Sequence, residues 1–234
     1  MAFLNWIKKI VTYLALFPVL TTVGLADVKI PDQALVYSVT YGSRNVGQVE
    51  IVIRNESDGY VLTSTTRPSR LAGLFLKEHT SDTRFIRRDG ELVPDSANEK
   101  LEGKKSYDRG FQFNYDNNQI EFSEGNVEAF ENGEQFESVT FPLLLMHRPI
   151  DSIEGMVVRE VSPKRLRSYT YNKPAEDTVK VPAGEYSAWK ITRFRTDKPE
   201  DTVTVWLDQS DNPVPVKIEI FKKGKKSTMN LTGN

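Results

Sequence analysis

From residue 34 onward, segment after segment alternates apolar with polar residues, and this pattern limits the fold more than any other feature of the chain. In residues 34–41, for example, Leu35 and Tyr37 fall on one side of an extended chain. Residues 46–54 and 60–66 repeat the pattern after short connections. Together the three segments predict an antiparallel meander.

Further segments of the same kind follow, separated by turn signals. They are residues 83–88, 111–115, 119–123, 156–161, 166–171, 178–181, 186–195, 203–207, 214–221 and 227–231. Two stretches differ: residues 69–77 place apolar side chains at helical spacing, and residues 141–147 are strongly apolar, with Pro142 suited to a first helical turn. A buried strand is the alternative for the second stretch. The predicted fold is all-β: a large bent antiparallel sheet or half-open barrel with one or two short helices.

The first 26 residues have the parts of a secretory signal peptide, namely a basic segment, an apolar run and small residues before a cleavage site. Cleavage is predicted between Ala26 and Asp27. The alternative, a membrane anchor, needs about 20 apolar residues, and the run at 10–23 is shorter. We therefore predict a periplasmic protein, exported by residues 1–26, in which 27–234 form a single β-rich domain that is not an integral membrane protein. The chain has no cysteine, which excludes a lipobox, disulfides and thiolate metal sites.

Charge is nearly balanced, with 31 basic and 32 acidic residues and a formal net charge of −1. Removing Lys8 and Lys9 with the signal peptide leaves 29 basic residues against 32 acidic ones, a net charge of −3. This balance argues against nucleic acid or an anionic membrane as partner, since either would require a basic face. One basic cluster, residues 222–226, suits contact with lipid headgroups or an acidic polymer, although lysines that keep a hairpin tip soluble are the commoner explanation.

Sequence motifs for catalysis are missing: G-x-S-x-G, H-E-x-x-H, a P-loop and a glycine-rich dinucleotide turn do not occur. The two histidines, His79 and His147, are far apart in the sequence, and a surface or capping role is expected for each. Asp208, Asp211 and Asn212 are close enough to suggest calcium, but a calcium loop also needs a glycine and a terminal glutamate. Turn chemistry explains them better. No catalytic residue, metal site or cofactor is predicted.

The final third of the chain carries a family pattern. It consists of Leu166-x-x-Tyr169-x-Tyr171, then Val179-x-Val181-Pro182-Ala183-Gly184-x-Tyr186-x-Ala188-x-Lys190-Ile191, then Trp206-Leu207-Asp208 and Pro213-Val214-Pro215. In this order and spacing, the motifs resemble those of the bacterial exported proteins catalogued as domain of unknown function 3108. The resemblance implies a strongly bent antiparallel sheet. A more distant similarity is to the lipoprotein carriers LolA and LolB, whose half-open β-barrel holds acyl chains. Neither family transfers a catalytic residue to this chain.

Four aromatic residues in the last third are the candidate ligand contacts: Tyr186, Trp189, Phe194 and Trp206. Alternation puts Tyr186 and Trp189 on opposite faces of one strand, so both faces of the sheet carry apolar side chains. One face must cover the core. The other face is either capped by the short helices or left as an apolar concavity that binds a ligand.

Three functions remain open from the sequence. The first is a non-enzymatic protein that binds a lipid-like or amphipathic molecule, which a continuous apolar hollow would favour. The second is a structural or assembly factor of the cell envelope that acts through protein–protein contacts, which a filled interior and an unpaired edge strand would favour. The third is an enzyme on cell-envelope polysaccharide, which requires two facing carboxylates about 5 to 9 Å apart.

Overall fold

The computed structural model describes residues 30–74, 77–88, 90–101, 106–138 and 141–233. The predicted signal peptide and its cleavage position between Ala26 and Asp27 lie outside these ranges. The strands are β1 (Gln33–Tyr41), β2 (Arg44–Glu56), β3 (Gly59–Pro68), β4 (His79–Arg88), β5 (Glu91–Leu101), β6 (Tyr107–Asn114), β7 (Gln119–Phe122), β8 (Val127–Ala129), β9 (Gln135–Ser138), β10 (Val157–Ser162), β11 (Arg165–Tyr171), β12 (Ala175–Val181), β13 (Gly184–Arg195), β14 (Lys198–Asp208), β15 (Pro215–Lys222) and β16 (Lys225–Gly233). The helical elements are α1 (Leu143–His147) and two 3₁₀ turns, Ala72–Leu74 and Ile150–Ser152.

All of these strands belong to one 16-stranded sheet. Its order is β8-β7-β6-β5-β4-β3-β2-β1-β16-β15-β14-β13-β11-β10-β9, and β12 pairs with β13 beside β11. The meander predicted for the first three strands is confirmed, and hairpin-by-hairpin antiparallel pairing continues to β8. The predicted all-β fold, a large bent antiparallel sheet, is therefore confirmed.

The two free edges of the sheet, β8 and β9, meet through side chains, and in the described ranges no backbone ladder joins them. The ring centroids of Phe113 and Phe136 lie 4.9 Å apart, and that of Phe130 lies 5.2 Å from Phe136. Beside these rings, Arg159 donates a hydrogen bond to Glu134 at 2.7 Å. The sheet is thus a curled, barrel-like sheet in which aromatic packing closes the last gap.

The connection from β9 to β10 passes through the inside of this barrel. Because β9 and β10 run parallel, the chain must return from one end of the sheet to the other between them. Helix α1 is part of this return, and its first four side chains are buried. Phe141 packs 6.3 Å from the ring of Tyr37, and His147 packs 5.4 Å from the ring of Tyr60. We call residues 141–153 the plug, since they fill one half of the interior.

The plug makes the two ends of the barrel different. Antiparallel order places the turns at residues 42–43, 69–74, 163–164, 196–197 and 223–224 together at one end, which we call the rim end. The turns at residues 57–58, 115–118, 130–134, 182–183 and 209–214 lie at the opposite end, which we call the plug end. There Arg148, which follows α1, donates a hydrogen bond to Glu91 at 3.3 Å.

One of the two predicted helices is not formed. In the described part of residues 69–77, only Ala72–Leu74 makes a 3₁₀ turn, and the side chain of Leu71 is 79% exposed. Strand β3 continues as far as Pro68 and β4 begins at His79, and the described residues between them form a turn rather than an amphipathic helix packed on the sheet. The prediction of a short buried helix within 141–147 is confirmed as α1.

Candidate functional site

Inward-facing residues change from apolar to polar between the plug end and the rim end. Along β15, Val216 and Ile218 are buried, and Lys222 ends the same inward row. Along β13, Ile191 is followed by Arg193 in the same way. The apolar positions pack with the plug in one buried hydrophobic core, whereas the polar ones lie beyond it. The rim half of the interior is therefore the part that combines charge with apolar surface.

Two cavities lie in this half. The first has a volume of about 190 Å³, and its wall includes Phe141, Glu160, Arg167, Ile218, Lys222 and Met229. The second has a volume of about 280 Å³, and its wall includes Ser64, His79, Glu99, Phe111, Val161 and Met229. Because Met229 lines both, its side chain belongs to the partition between them. Together the cavities reach the lower part of the range of roughly 300–1,000 Å³ that is typical of ligand pockets.

A buried ionic network forms one wall of the first cavity. Arg193 donates hydrogen bonds to Glu137 at 2.6 Å and to Glu160 at 2.5 Å. Tyr171 donates to the same oxygen of Glu137 at 2.8 Å, and the guanidinium of Arg193 lies 4.3 Å from the ring centroid of Tyr169. The network thus joins β9, β10, β11 and β13 on this side of the barrel.

The two carboxylates of this network share the guanidinium of Arg193, and Glu160 also lies 3.9 Å from Arg167. Burial raises the pKa of Glu137, which is 1% exposed, although Arg193 acts in the opposite direction. Burial also disfavours the charged form of Arg193, but the carboxylates of Glu137 and Glu160 more than offset it and raise the Arg193 pKa. The Oε1 atom of Glu137 is buried without a hydrogen-bond partner. Removing one partner from such a network leaves a buried charge uncompensated.

A second polar cluster, centred on Glu99, forms part of the wall of the second cavity. Glu99 accepts hydrogen bonds from His79 Nε2 at 2.7 Å, Tyr107 Oη at 3.0 Å and Arg109 Nε at 3.2 Å. Burial opposes ionisation, but these three donors lower the pKa of Glu99 to about 2. The structure places His79 half-buried in a cavity wall, not at the surface as the sequence suggested. The residue that follows His79 on the inward-facing side of β4 is Ser81, which is also polar. The polarity of these residues therefore gave no indication that this side of the strand faces the interior.

The four aromatic residues predicted as ligand contacts line neither of these two cavities of the described structure. Tyr186 and Trp189 are half-buried and pack against the main core, Phe194 is half-buried on the face opposite Arg193, and Trp206 is buried. The alternation predicted for these strands is confirmed by the register, which pairs Trp206 with Lys190. Alternation therefore identified the two faces, but not which face encloses the cavities.

The contacts of Trp206 come from a hairpin that folds over the sheet. The backbone N–H of Ala183, at the β12–β13 turn, donates to the carbonyl of Leu231 on β16, which lies three strands from β13. Near this hairpin the indole N–H of Trp206 donates to Asp177 at 2.8 Å, and the ammonium of Lys217 lies 4.2 Å from the ring. These partners come from separate strands, so no local sequence signal predicts them.

The acidic turn considered as a calcium site has a backbone role. A carboxylate oxygen of Asp208 accepts a hydrogen bond from the N–H of Val214, which ties together the connection between β14 and β15. Among the residues that the structure describes, no group of three or more histidine, aspartate or glutamate side chains is placed to hold a metal ion.

Fold and cavities define the class: an all-β, barrel-like protein with an internal plug and cavities toward one end. The chain belongs to the family described as protein of unknown function (DUF3108), whose model matches residues 36–232. It is also similar to the crystal structure of a beta-barrel-like protein of domain of unknown function DUF1849 from Brucella abortus, with 11% sequence identity and a TM-score of 0.54 over 87% of this chain and 96% of that one. At this identity the likeness shows the fold alone.

No curated protein matches the chain. Within the described ranges, no helix has the length and apolar character required to cross a bilayer.

Proposed function

We propose that this is an exported, periplasmic, non-enzymatic protein that holds a lipid-like or amphipathic molecule inside its barrel. The main support is the pair of adjoining cavities between the plug and the rim end, whose walls combine apolar side chains with a few charged groups. The signal-peptide pattern of residues 1–26 supports export.

Apolar contact would supply most of the binding free energy. Val203, Val205 and Ile218 form apolar wall in the first cavity, and Phe111 and Val161 do so in the second. Each methylene group moved from water into such surroundings contributes about 0.8 kcal/mol before the cost of association is subtracted. In this proposal the ligand contacts are the cavity walls, not the four aromatic residues predicted from the sequence.

Met229 gives the cavities a way to join. Its side chain lines both cavities, and methionine has three flexible torsions and no branching. A rotamer change at Met229 would turn two short cavities into one longer channel suited to an acyl chain. The length of ligand that the protein accepts should therefore depend on this position.

The first test is native mass spectrometry of the mature protein purified gently from its own envelope. We expect an additional mass of lipid size that is lost on denaturation or solvent extraction. A bare protein mass, together with no uptake of fluorescent acyl probes, would contradict the proposal.

The second test places a bulky side chain at the partition. Met229→Trp should weaken acyl-probe binding at least about tenfold, since filling the cavity removes the space for the chain. Met156→Trp is the matched control, because Met156 packs against the main core and lines neither cavity. Equal probe binding by the wild type and Met229→Trp would place the ligand elsewhere.

A further inference from the structure

The exposed charges of the rim end are mostly positive. Basic residues in or beside its turns are Arg44, Arg70, Lys164, Arg165, Lys198, Lys223, Lys225 and Lys226, all exposed. Several acids of this end are already held by arginines: Asp197 and Asp201 both pair with Arg195, and Glu78 lies 4.0 Å from Arg67. The surface that the rim end presents to a partner is therefore basic.

The turns of the plug end have the opposite character. Their acidic residues are Asp58, Asp116, Glu131, Glu134 and Asp211, to which the plug and the segment after it add Asp151 and Glu154. Within the described turns of this end there is no lysine or arginine, and the exposed cations beside them are Arg87 and Arg88 at the end of β4 and Lys180 before the 182–183 turn. A chain of formal net charge −1 is thus electrically polarised along its barrel axis. The nearly balanced net charge therefore does not exclude an anionic surface as a partner of the folded protein.

Large apolar side chains are also exposed at the rim end. Leu71 is 79% exposed, Tyr41 45% and Phe221 41%, and Ile220 is exposed beside Phe221. Tyr41 is paired with Ser227, which is itself paired with Ile220, so Tyr41 and Ile220 lie on the same face of the sheet, and Phe221 lies beside them on the other face of β15. Exposed apolar groups set among cations are typical of proteins that sit at a membrane interface.

We infer that the rim end docks on the surface of an anionic phospholipid bilayer. We define the rim surface as Tyr41, Arg44, Leu71, Phe221, Lys223 and Lys225. Its cations would be attracted to anionic headgroups, and its apolar side chains would enter the interfacial layer. A soluble acidic polymer would engage the same cations but would leave the apolar side chains in water, so the observations favour a bilayer.

The rim surface is continuous with the first cavity. Phe221 and Lys222 line that cavity, and both lie at the base of the β15–β16 turn. Burial lowers the pKa of Lys222, and the nearby cations Arg167 and Arg165 lower it further. Docking would bring this cationic mouth against the headgroups, where a lipid could enter without crossing water. The inference does not require a bound ligand, because the rim surface consists of exposed side chains.

The test is flotation of the ligand-free mature protein with two kinds of vesicle. Equal parts of phosphatidylglycerol and phosphatidylcholine make the anionic vesicles, and phosphatidylcholine alone makes the neutral ones. We expect the protein to float with the anionic vesicles, and the bound fraction to fall as salt is raised, since screening weakens the attraction. Equal flotation with both vesicles, or with neither, would overturn the inference.

Variants separate the two parts of the rim surface. Arg44→Glu with Lys225→Glu should weaken binding to anionic vesicles at least about tenfold, given the contribution of each surface cation. The matched control, Arg54→Glu with Lys180→Glu, reverses two exposed charges toward the plug end and should bind nearly as the wild type does. Equal losses in both would show that net charge rather than the rim surface governs binding, which would overturn the inference.

The apolar part is tested by Leu71→Ser with Phe221→Ser. This variant should lose vesicle binding several-fold, yet retain any binding to a soluble polyanion such as dextran sulfate. Both side chains are exposed, so the thermal melt should follow that of the wild type. Undiminished vesicle binding, or tighter binding to dextran sulfate than to vesicles, would favour a soluble acidic partner and overturn the inference.

Discussion

The plug half and the rim half of the barrel are built from the same strands but are filled in different ways. In the plug half, inward side chains such as Leu35, Ile51 and Leu62 are fully buried and pack against α1. In the rim half, the same strands present hydroxyls, carboxylates and cations to two cavities. One sheet can thus combine two kinds of interior: apolar packing stabilises one half, and the other half keeps open space and charged side chains.

The largest effect should come from the ionic network where the two halves meet. Arg193→Met would leave Glu137 buried without a cationic partner and Glu160 with only Arg167, 3.9 Å away, so the free energy of unfolding should fall by about 3–5 kcal/mol. Urea denaturation measures this. Arg84→Met is the control, since Arg84 also pairs with acids, namely Glu56, Asp58 and Asp95, but at the exposed surface, and its loss should be slight.

A second network variant sharpens this prediction. Replacing Arg193 and Glu137 together by methionine removes one charge of each sign and leaves Glu160 paired with Arg167, and it should recover most of the stability that the single change loses. If Arg193→Met lowers the free energy of unfolding no more than Arg84→Met does, packing rather than polar pairing stabilises the rim half, as it does the plug half.

Packing in the plug should give the next largest effect. Leu145 is fully buried in α1, and Leu145→Ala should lower the free energy of unfolding by about 2–5 kcal/mol through the cavity it creates. Leu71→Ala at the rim end changes the same side chain in an exposed position and should leave stability within about 0.5 kcal/mol of the wild type. Similar losses of stability for the two variants would mean that Leu71 is packed as Leu145 is, and that the two halves do not differ in this way.

The smallest effect concerns pH and the Glu99 cluster. The pKa of Glu99 is about 2 in the folded protein against an ordinary value of 4.5. Its contribution is therefore fully present above about pH 5 and is lost as the pH falls toward 2. With allowance for solvent screening, this contribution is on the order of 1 kcal/mol.

Urea unfolding of the wild type and Glu99→Gln across this range measures the contribution. The difference in stability should be largest near neutral pH and should shrink on acidification. Glu124→Gln, at an exposed turn residue, is the control and should run parallel to the wild type at all pH values. A difference between wild type and Glu99→Gln that does not change with pH would mean that the carboxylate is not stabilised by its donors.

Local patterns predicted much of the fold. Alternation identified the strands on both sides of the 115–118 turn and the faces of β13 and β14, because the side-chain period of a strand is set by the backbone alone. The apolar run with Pro142 indicated α1 for a similar reason. The 69–77 helix failed because helical spacing over so few residues is also compatible with a tight connection between two paired strands.

The site was less predictable than the fold. Arg193 was placed by alternation on the same face as Ile191, but its partners come from β9 and β10, more than thirty residues away. The Glu99 cluster draws on β4, β5 and β6, and its residue types also suit a solvated strand face. The aromatic residues were predicted as ligand contacts, yet the indole N–H of Trp206 donates to Asp177 in the hairpin that folds across the sheet.

Most of the strands, helix α1, the all-β class and the family could be predicted from the sequence, because each depends on residue types at short spacing. Three features are visible only in the folded molecule: the β9–β10 connection runs through the barrel, the cavities lie beyond it, and the charges separate between the two ends. These features arise from the order in which distant strands pair and from the direction of one parallel return. Net charge and local periodicity are both insensitive to that order, so the polarity of the molecule becomes visible only when the sheet is assembled.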